Sequence, residues 1–125
     1  MRKLHQVAVA TACAISAIML SGSVLAQEAG AKKAEPTGKE LAYNRSKGNC
    51  LACHAMPTQP DAESAGMYGP PLIAMSARYP DKAKLRAQIW DATVANPASS
   101  MIPFGKHGVL SEKEIDSITD FVYGL

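Results

Sequence analysis

The apolar positions of this chain fall into two regimes. Val7 to Leu20 is a continuous apolar run without a charged residue. Beyond residue 36 the apolar positions come in short helical groups, separated by stretches rich in proline and glycine. Thr37-Gly38-Lys39-Glu40 is a capping box, in which the threonine caps the start and the glutamate reaches back. It predicts a helix from about Gly38 to Asn49, with Leu41, Ala42, Arg45 and Gly48 on one side. Gly48 costs about 1 kcal/mol relative to alanine in a helix interior. It either admits a second helix closely or loosens the turn that follows. Asp81 can cap a second helix reaching Ala95, with Leu85, Ile89 and Ala92 on one face and Asn96-Pro97 as its stop. Ser111-Glu112-Lys113-Glu114 is a second capping box and opens a helix to about Gly124. Ile115, Ile118 and Val122 form its apolar stripe, with Phe121 and Leu125 at the edge. No run alternates with the period of a strand, so the pattern predicts an all-α domain of short helices.

The first apolar run belongs to something else. Arg2 and Lys3 precede it, and Val24-Leu25-Ala26 places small residues where a signal peptidase would cut. Residues 1–26 therefore read as a secretory signal peptide, 27–36 as a flexible lead-in and 37–125 as one domain. A transmembrane anchor would need about 20 apolar residues, which the run does not supply. Cys13 lies within the removed segment. Loss of Arg2 and Lys3 takes the 13 Lys and Arg to 11, equal to the 11 Asp and Glu. A neutral domain excludes a basic nucleic-acid-binding surface, and the expected location is the periplasm, with no membrane span in the mature chain.

Two cysteines then remain, in Cys50-Leu51-Ala52-Cys53-His54. C-x-x-C-H is the attachment signature of a c-type haem: each thiol joins one vinyl group, and the histidine is carried beneath the iron. Two other chemistries use a C-x-x-C pair. A thioredoxin-like site expects a βαβ setting, and no strand pattern is present. A zinc site could recruit Cys50, Cys53, His54 and His107, but with no common finger spacing.

Gly69-Pro70-Pro71-Leu72 is either an ordinary rigid turn or a holder for His54. The Pro70 carbonyl is free to accept and would fix the tautomer of the histidine through Nδ1–H. Met101, in the proline-bounded loop Pro97 to Leu110, is the expected second axial ligand. Met75 and His107 are the alternatives. Met56 is too close to His54 to cross to the opposite face, and Met67 precedes the turn assigned to the histidine side. Ligation by histidine and methionine fills both axial positions and suits electron transfer. Trp90 is core or a haem-propionate partner. Arg78 and Tyr79 are propionate partners or exposed loop. Ile102 and Phe104 flank Met101; they either pack on the haem or offer an apolar contact to a partner.

Taken together, these residues resemble class I cytochromes c from about Thr37 onward. The string Gly69-Pro70-Pro71-Leu72, Met75, Arg78-Tyr79-Pro80, Asn96-Pro97 and Met101-Ile102-Pro103-Phe104-Gly105-Lys106-His107 is similar to SoxX, the small monohaem subunit of the SoxAX cytochrome of bacterial sulfur oxidation. Relatives commonly carry proline directly after the ligand methionine; here Ile102 intervenes. The resemblance implies short helices around one covalent haem c and a heterodimer with a larger SoxA-type subunit. It also implies a carrier protein of the SoxYZ type, whose cysteine receives thiosulfate, and a downstream electron acceptor. The catalytic haem of such an L-cysteine S-thiosulfotransferase lies in the larger subunit. With Cys50 and Cys53 alkylated and Cys13 removed, this chain keeps no thiol for a sulfur intermediate, so it is expected to be a non-catalytic redox subunit. A free-standing class I cytochrome c and a thiol oxidoreductase are the other readings.

Overall fold

A computed structural model describes residues 34–125. The expected signal peptide, Cys13 and the lead-in up to residue 33 lie outside the described residues. Four α-helices follow in order: α1 (Gly38–Tyr43), α2 (Met75–Arg78), α3 (Lys82–Trp90) and α4 (Glu112–Tyr123). A single 3-10 turn, Cys50–Ala52, lies between α1 and α2. Among the described residues there is no strand, and no helix is long and apolar enough to cross a membrane.

Both capping boxes form as expected, on Thr37–Glu40 and Ser111–Glu114. An N-cap of this kind is worth about 1 kcal/mol. The helix ends differ from expectation, and each difference has a polar cause. α1 stops at Tyr43 rather than Asn49, because Asn44 turns extended and its Oδ1 accepts the Ser46 N–H at 2.8 Å. A side chain that satisfies the backbone locally competes with the helix. Arg45 consequently points into solvent instead of joining Leu41 and Ala42 in the core. α3 stops at Trp90 rather than Ala95, since Asp91 is extended and its Oδ1 accepts the Thr93 N–H at 3.0 Å. Ala92 is buried all the same. The short helix α2 has no apolar period to announce it. It starts at Ala74, whose φ of 50° is left-handed, and the Ala74 N–H is held by the Leu125 carbonyl at 2.8 Å.

α4 is the member that the others pack on. Its Ile115, Ile118 and Val122 are buried, and Thr119 satisfies its hydroxyl on the Ile115 carbonyl at 2.7 Å. α1 crosses it at Gly38, where an added Cβ would overlap the Ser117 carbonyl. Tyr43 and Phe121 meet edge to face at the other end of the crossing, with centroids 6.3 Å apart. The glycine that lets two helices touch is therefore Gly38. Gly48 serves α1 alone: its N–H returns to the Leu41 carbonyl at 3.1 Å, and a Cβ there would lie 2.9 Å from the same oxygen. α3 lies along α4 and buries Leu85 and Ile89. Arg86 to Asp116 and Glu112, and Lys82 to Asp120, flank that contact as surface ion pairs. Such pairs are each worth about 0–1 kcal/mol, so the apolar contact decides the packing.

The crossing gives a direct expectation. Gly38→Ala forces α1 off α4 and should cost about 2 kcal/mol by overpacking. Urea unfolding of the purified protein checks it: the midpoint falls and the m-value stays unchanged. A midpoint equal to that of the parent would mean that the crossing has slack.

Candidate functional site

The C-x-x-C-H segment begins at Asn49, a residue with φ 46° that throws the chain out of the turn after α1. One 3-10 turn follows, with the Cys53 and His54 N–H groups both on the Cys50 carbonyl, at 3.2 and 2.9 Å. Cys50 is half-buried beside Gly48 and Cys53 is exposed; the two thiols are not joined to each other. Burial pushes the Cys50 thiol up to about 11. A dithiol oxidoreductase needs its attacking sulfur as a thiolate, lowered by positive surroundings. Cys50 has the opposite environment.

The loop that follows is laced back onto this segment residue by residue. The N–H groups of Gly66, Gly69 and Leu72 donate to the carbonyls of Leu51, Cys53 and Ala55, at 2.7, 2.8 and 2.8 Å. Gly66 and Gly69 leave no room for a side chain. A Cβ on Gly66 would overlap the Ala52 carbonyl, and one on Gly69 would overlap the imidazole of His54. The imidazole thus lies on the Gly69 backbone, and its Nδ1 donates to the Pro70 carbonyl at 2.7 Å. With the proton on Nδ1, Nε2 keeps its lone pair. Arg78, offered by the sequence as a propionate partner or exposed loop, is exposed and braces this loop. Its Nη1 donates to the Pro71 carbonyl at 2.8 Å and to the Met75 sulfur at 3.3 Å. Tyr79 is half-buried against the core.

The methionine loop is built from the other side. Phe104 is buried and anchors it, and the Trp90 carbonyl accepts the Gly105 N–H at 3.1 Å. Of the two residues flanking Met101, Phe104 is therefore spent on packing, while Ile102 is 51% exposed. The Trp90 ring covers Gly105, where a Cβ would overlap it, and the Arg86 guanidinium sits 5.7 Å from the ring centroid. Buried Asp91 receives the Lys106 ammonium at 2.9 Å and thereby ties the loop to the end of α3. Lys106, helped by Thr93, holds the Asp91 carboxyl down at about 2. Met101 is half-buried against the core. The other sulfurs are placed differently. Met56 is fully buried, Met75 is buried under Arg78, and Met67 is 89% exposed. His107 is exposed.

Two thiols on one turn and an imidazole with Nε2 free form a donor set that fits a covalently attached haem, and the Gly69 cradle fixes the ring that would ligate it. Among the described residues no group of three or more His, Cys, Asp or Glu side chains is gathered to hold a metal ion. The zinc set of Cys50, Cys53, His54 and His107 is therefore not assembled. Sequence reasoning singles out Cys50, Cys53, His54, Pro70 and Met101, but it misses Gly66, Asp91 and Lys106. Gly66 is hidden in a loop of ordinary turn residues. Asp91 is absorbed into an expected helix that in fact stops before it.

No family model matches the chain. An uncharacterized lipoprotein of Aquifex aeolicus (strain VF5) is 32% identical over 77 residues, 62% of this chain and 36% of that protein. The chain thus matches little more than a third of the length of that relative. Among solved structures, the crystal structure of SoxXA from P. pantotrophus matches with a TM-score of 0.63 at 24% identity. The match covers 72% of this chain and 82% of that one. The described chain accordingly shares its fold with that structure.

The Asp91–Lys106 contact carries a pH dependence whose sign is fixed. The folded carboxyl titrates near 2, below its ordinary value of 3.8. Its stabilising contribution is therefore complete above about pH 4 and is lost as pH falls from there toward 2. Asp91→Asn should be destabilised by a constant amount between roughly pH 5 and 7, and the gap should close on further acidification. Urea melts of both proteins from neutral pH down to about pH 2 test it; a gap that persists at the acid end would assign the effect to packing.

Proposed function

We propose that this chain is a periplasmic electron-transfer cytochrome, the small monohaem subunit of a SoxAX-type sulfur-oxidising complex. The observation that carries the reading is the bond from His54 Nδ1 to the Pro70 carbonyl, with Gly69 as the floor of the ring. That bond sets the tautomer, leaves the lone pair on Nε2 and makes it a stronger donor. Haem c bound at Cys50 and Cys53 would supply a one-electron iron centre. His54 and Met101 would hold its iron. Met75 is the weaker rival, because its sulfur already accepts from Arg78. Two protein ligands leave no position for substrate, which suits a residue set that passes electrons rather than binds sulfur compounds.

The division of labour follows from the thiols. Once Cys50 and Cys53 are alkylated and Cys13 is removed with the signal peptide, the chain has no sulfhydryl to hold a cysteine-bound sulfur intermediate. A larger SoxA-type subunit would do that chemistry, a SoxYZ-type carrier would present its cysteine, and the electrons would leave to a further acceptor. Near-zero charge after export gives little long-range steering, so a stable apolar contact is the expected mode of association. With Phe104 buried, exposed Ile102 is the residue beside Met101 that can make that contact.

Haem attachment and ligation are tested together. The purified protein should stay haem-stained after denaturing electrophoresis, and Cys50→Ala with Cys53→Ala should abolish the stain and leave a largely unfolded chain. Met101→Ala should remove the long-wavelength sulfur-to-iron band of the ferric protein and lower the reduction potential. The same loss in Met75→Ala, with Met101→Ala unaffected, would exchange the two roles.

Ile102→Lys tests the partner. It should leave the ferrous spectrum intact and weaken binding to the larger haem subunit at least about tenfold, as expected for a charge placed in an apolar contact. Unchanged affinity by calorimetry would put the interface elsewhere. Recovery of the native chain from periplasm as a lone stable monomer would favour a free-standing carrier.

A further inference from the structure

The loop that holds His54 and the loop that carries Met101 are joined by one side-chain hydrogen bond among the described residues, between the Tyr68 hydroxyl and Ser100 Oγ at 2.9 Å. Both residues are exposed, Tyr68 at 77%, so the bond does not result from core packing. Tyr68 is rigidly mounted: Gly66 and Gly69 on either side are tied to the carbonyls of Leu51 and Cys53. Ser100 is not. Upstream, Ser99 is bonded back to Asn96, and downstream Phe104 and Gly105 are anchored in the core and on Trp90. Between them the backbone has few ties. The Met101 N–H donates to Ser99 Oγ at 3.2 Å, and Pro103 has no N–H to give. The Tyr68 hydroxyl thus reaches a sparsely tied part of the methionine loop from between two tied glycines of the histidine loop.

We propose that Tyr68 is a positioning residue, a latch that holds the Met101 loop closed against the loop carrying the acceptor of His54. Its consequence for the iron rests on the reading of Met101 as axial ligand; the latch itself does not. With the latch formed, Ser100 and Met101 are fixed to the Cys-x-x-Cys-His frame and move with it. With it open, the stretch from Ser100 to Pro103 swings on Ser99 and Phe104.

A double-mutant cycle on the intact purified protein tests this. Tyr68→Phe keeps the ring and removes the hydroxyl; Ser100→Ala removes the partner. Amide hydrogen exchange is followed at Met101 and at His107, whose N–H is bonded to the Pro103 carbonyl at 2.9 Å. Amides of α4 serve as the measure of global stability. Each single variant should speed exchange in the loop about three- to tenfold, the equivalent of one net hydrogen bond, with α4 unchanged. The double variant should be no faster than the faster single. Exchange within about twofold of the parent in both singles, or effects that multiply in the double variant, would overturn the latch. The sulfur-to-iron band is recorded in parallel. In the parent protein it reports whether Met101 ligates. In Tyr68→Phe it should be lost at a lower temperature while overall melting is unchanged. If the parent lacks the band, the ligand assignment fails and the exchange data still decide the latch.

Discussion

Everything at this site depends on one hydrogen bond, from the imidazole of His54 to the carbonyl of Pro70. A histidine one residue beyond a pair of cysteines is useful as a ligand only if its ring is held in one tautomer and one plane. The chain achieves this with a segment that can hardly compete for the bond. Pro70 and Pro71 have no N–H, so the segment offers donors only at Gly69 and Leu72, and both are committed to Cys53 and Ala55. The free carbonyls then take side-chain donors, His54 at Pro70 and Arg78 at Pro71. Glycine at position 69 completes the arrangement by letting the ring rest on backbone.

The two sides of the site are restrained in different ways. On the histidine side the restraint is mainly backbone bonding, to which the side chains of His54 and Arg78 add. On the methionine side the loop is held at points: Phe104 in the core, Gly105 under Trp90, Lys106 on Asp91, Ser100 on Tyr68. Backbone lacing tolerates side-chain changes except at Gly66 and Gly69, where any side chain would collide with the segment it is laced to, whereas each point restraint can be removed by truncating one side chain.

Much of this is legible in the sequence. The capping boxes mark the starts of α1 and α4 to the residue, because a cap is a local chemical event. The C-x-x-C-H spacing and the run Gly69-Pro70-Pro71 identify the histidine and its acceptor, since both follow from donor and acceptor counts. Helix ends are not legible. Asn44 and Asp91 turn the chain by bonding their own neighbours, and nothing in apolar periodicity distinguishes that from a polar residue on a helix face. Gly48 lies in the turn before the cysteines and not at a helix crossing, while Gly38, legible only as part of a cap, bears the crossing. Long-range pairs such as Asp91 with Lys106 and Tyr68 with Ser100 depend on how loops are folded over one another, which single-chain patterns do not encode.

The crossing of α1 on α4 has a consequence for the order of events in biogenesis. α1 immediately precedes the two cysteines, yet its partner surface, the Ser117 carbonyl and Phe121, comes only after the whole of the site. Pairing of segments so distant in sequence is slow, because the loop between them must be closed first. During synthesis from the N-terminus, α1 and the thiols emerge long before the helix that would lock them. For that interval Cys50 and Cys53 sit on an open chain, and the native frame closes around the segment afterwards.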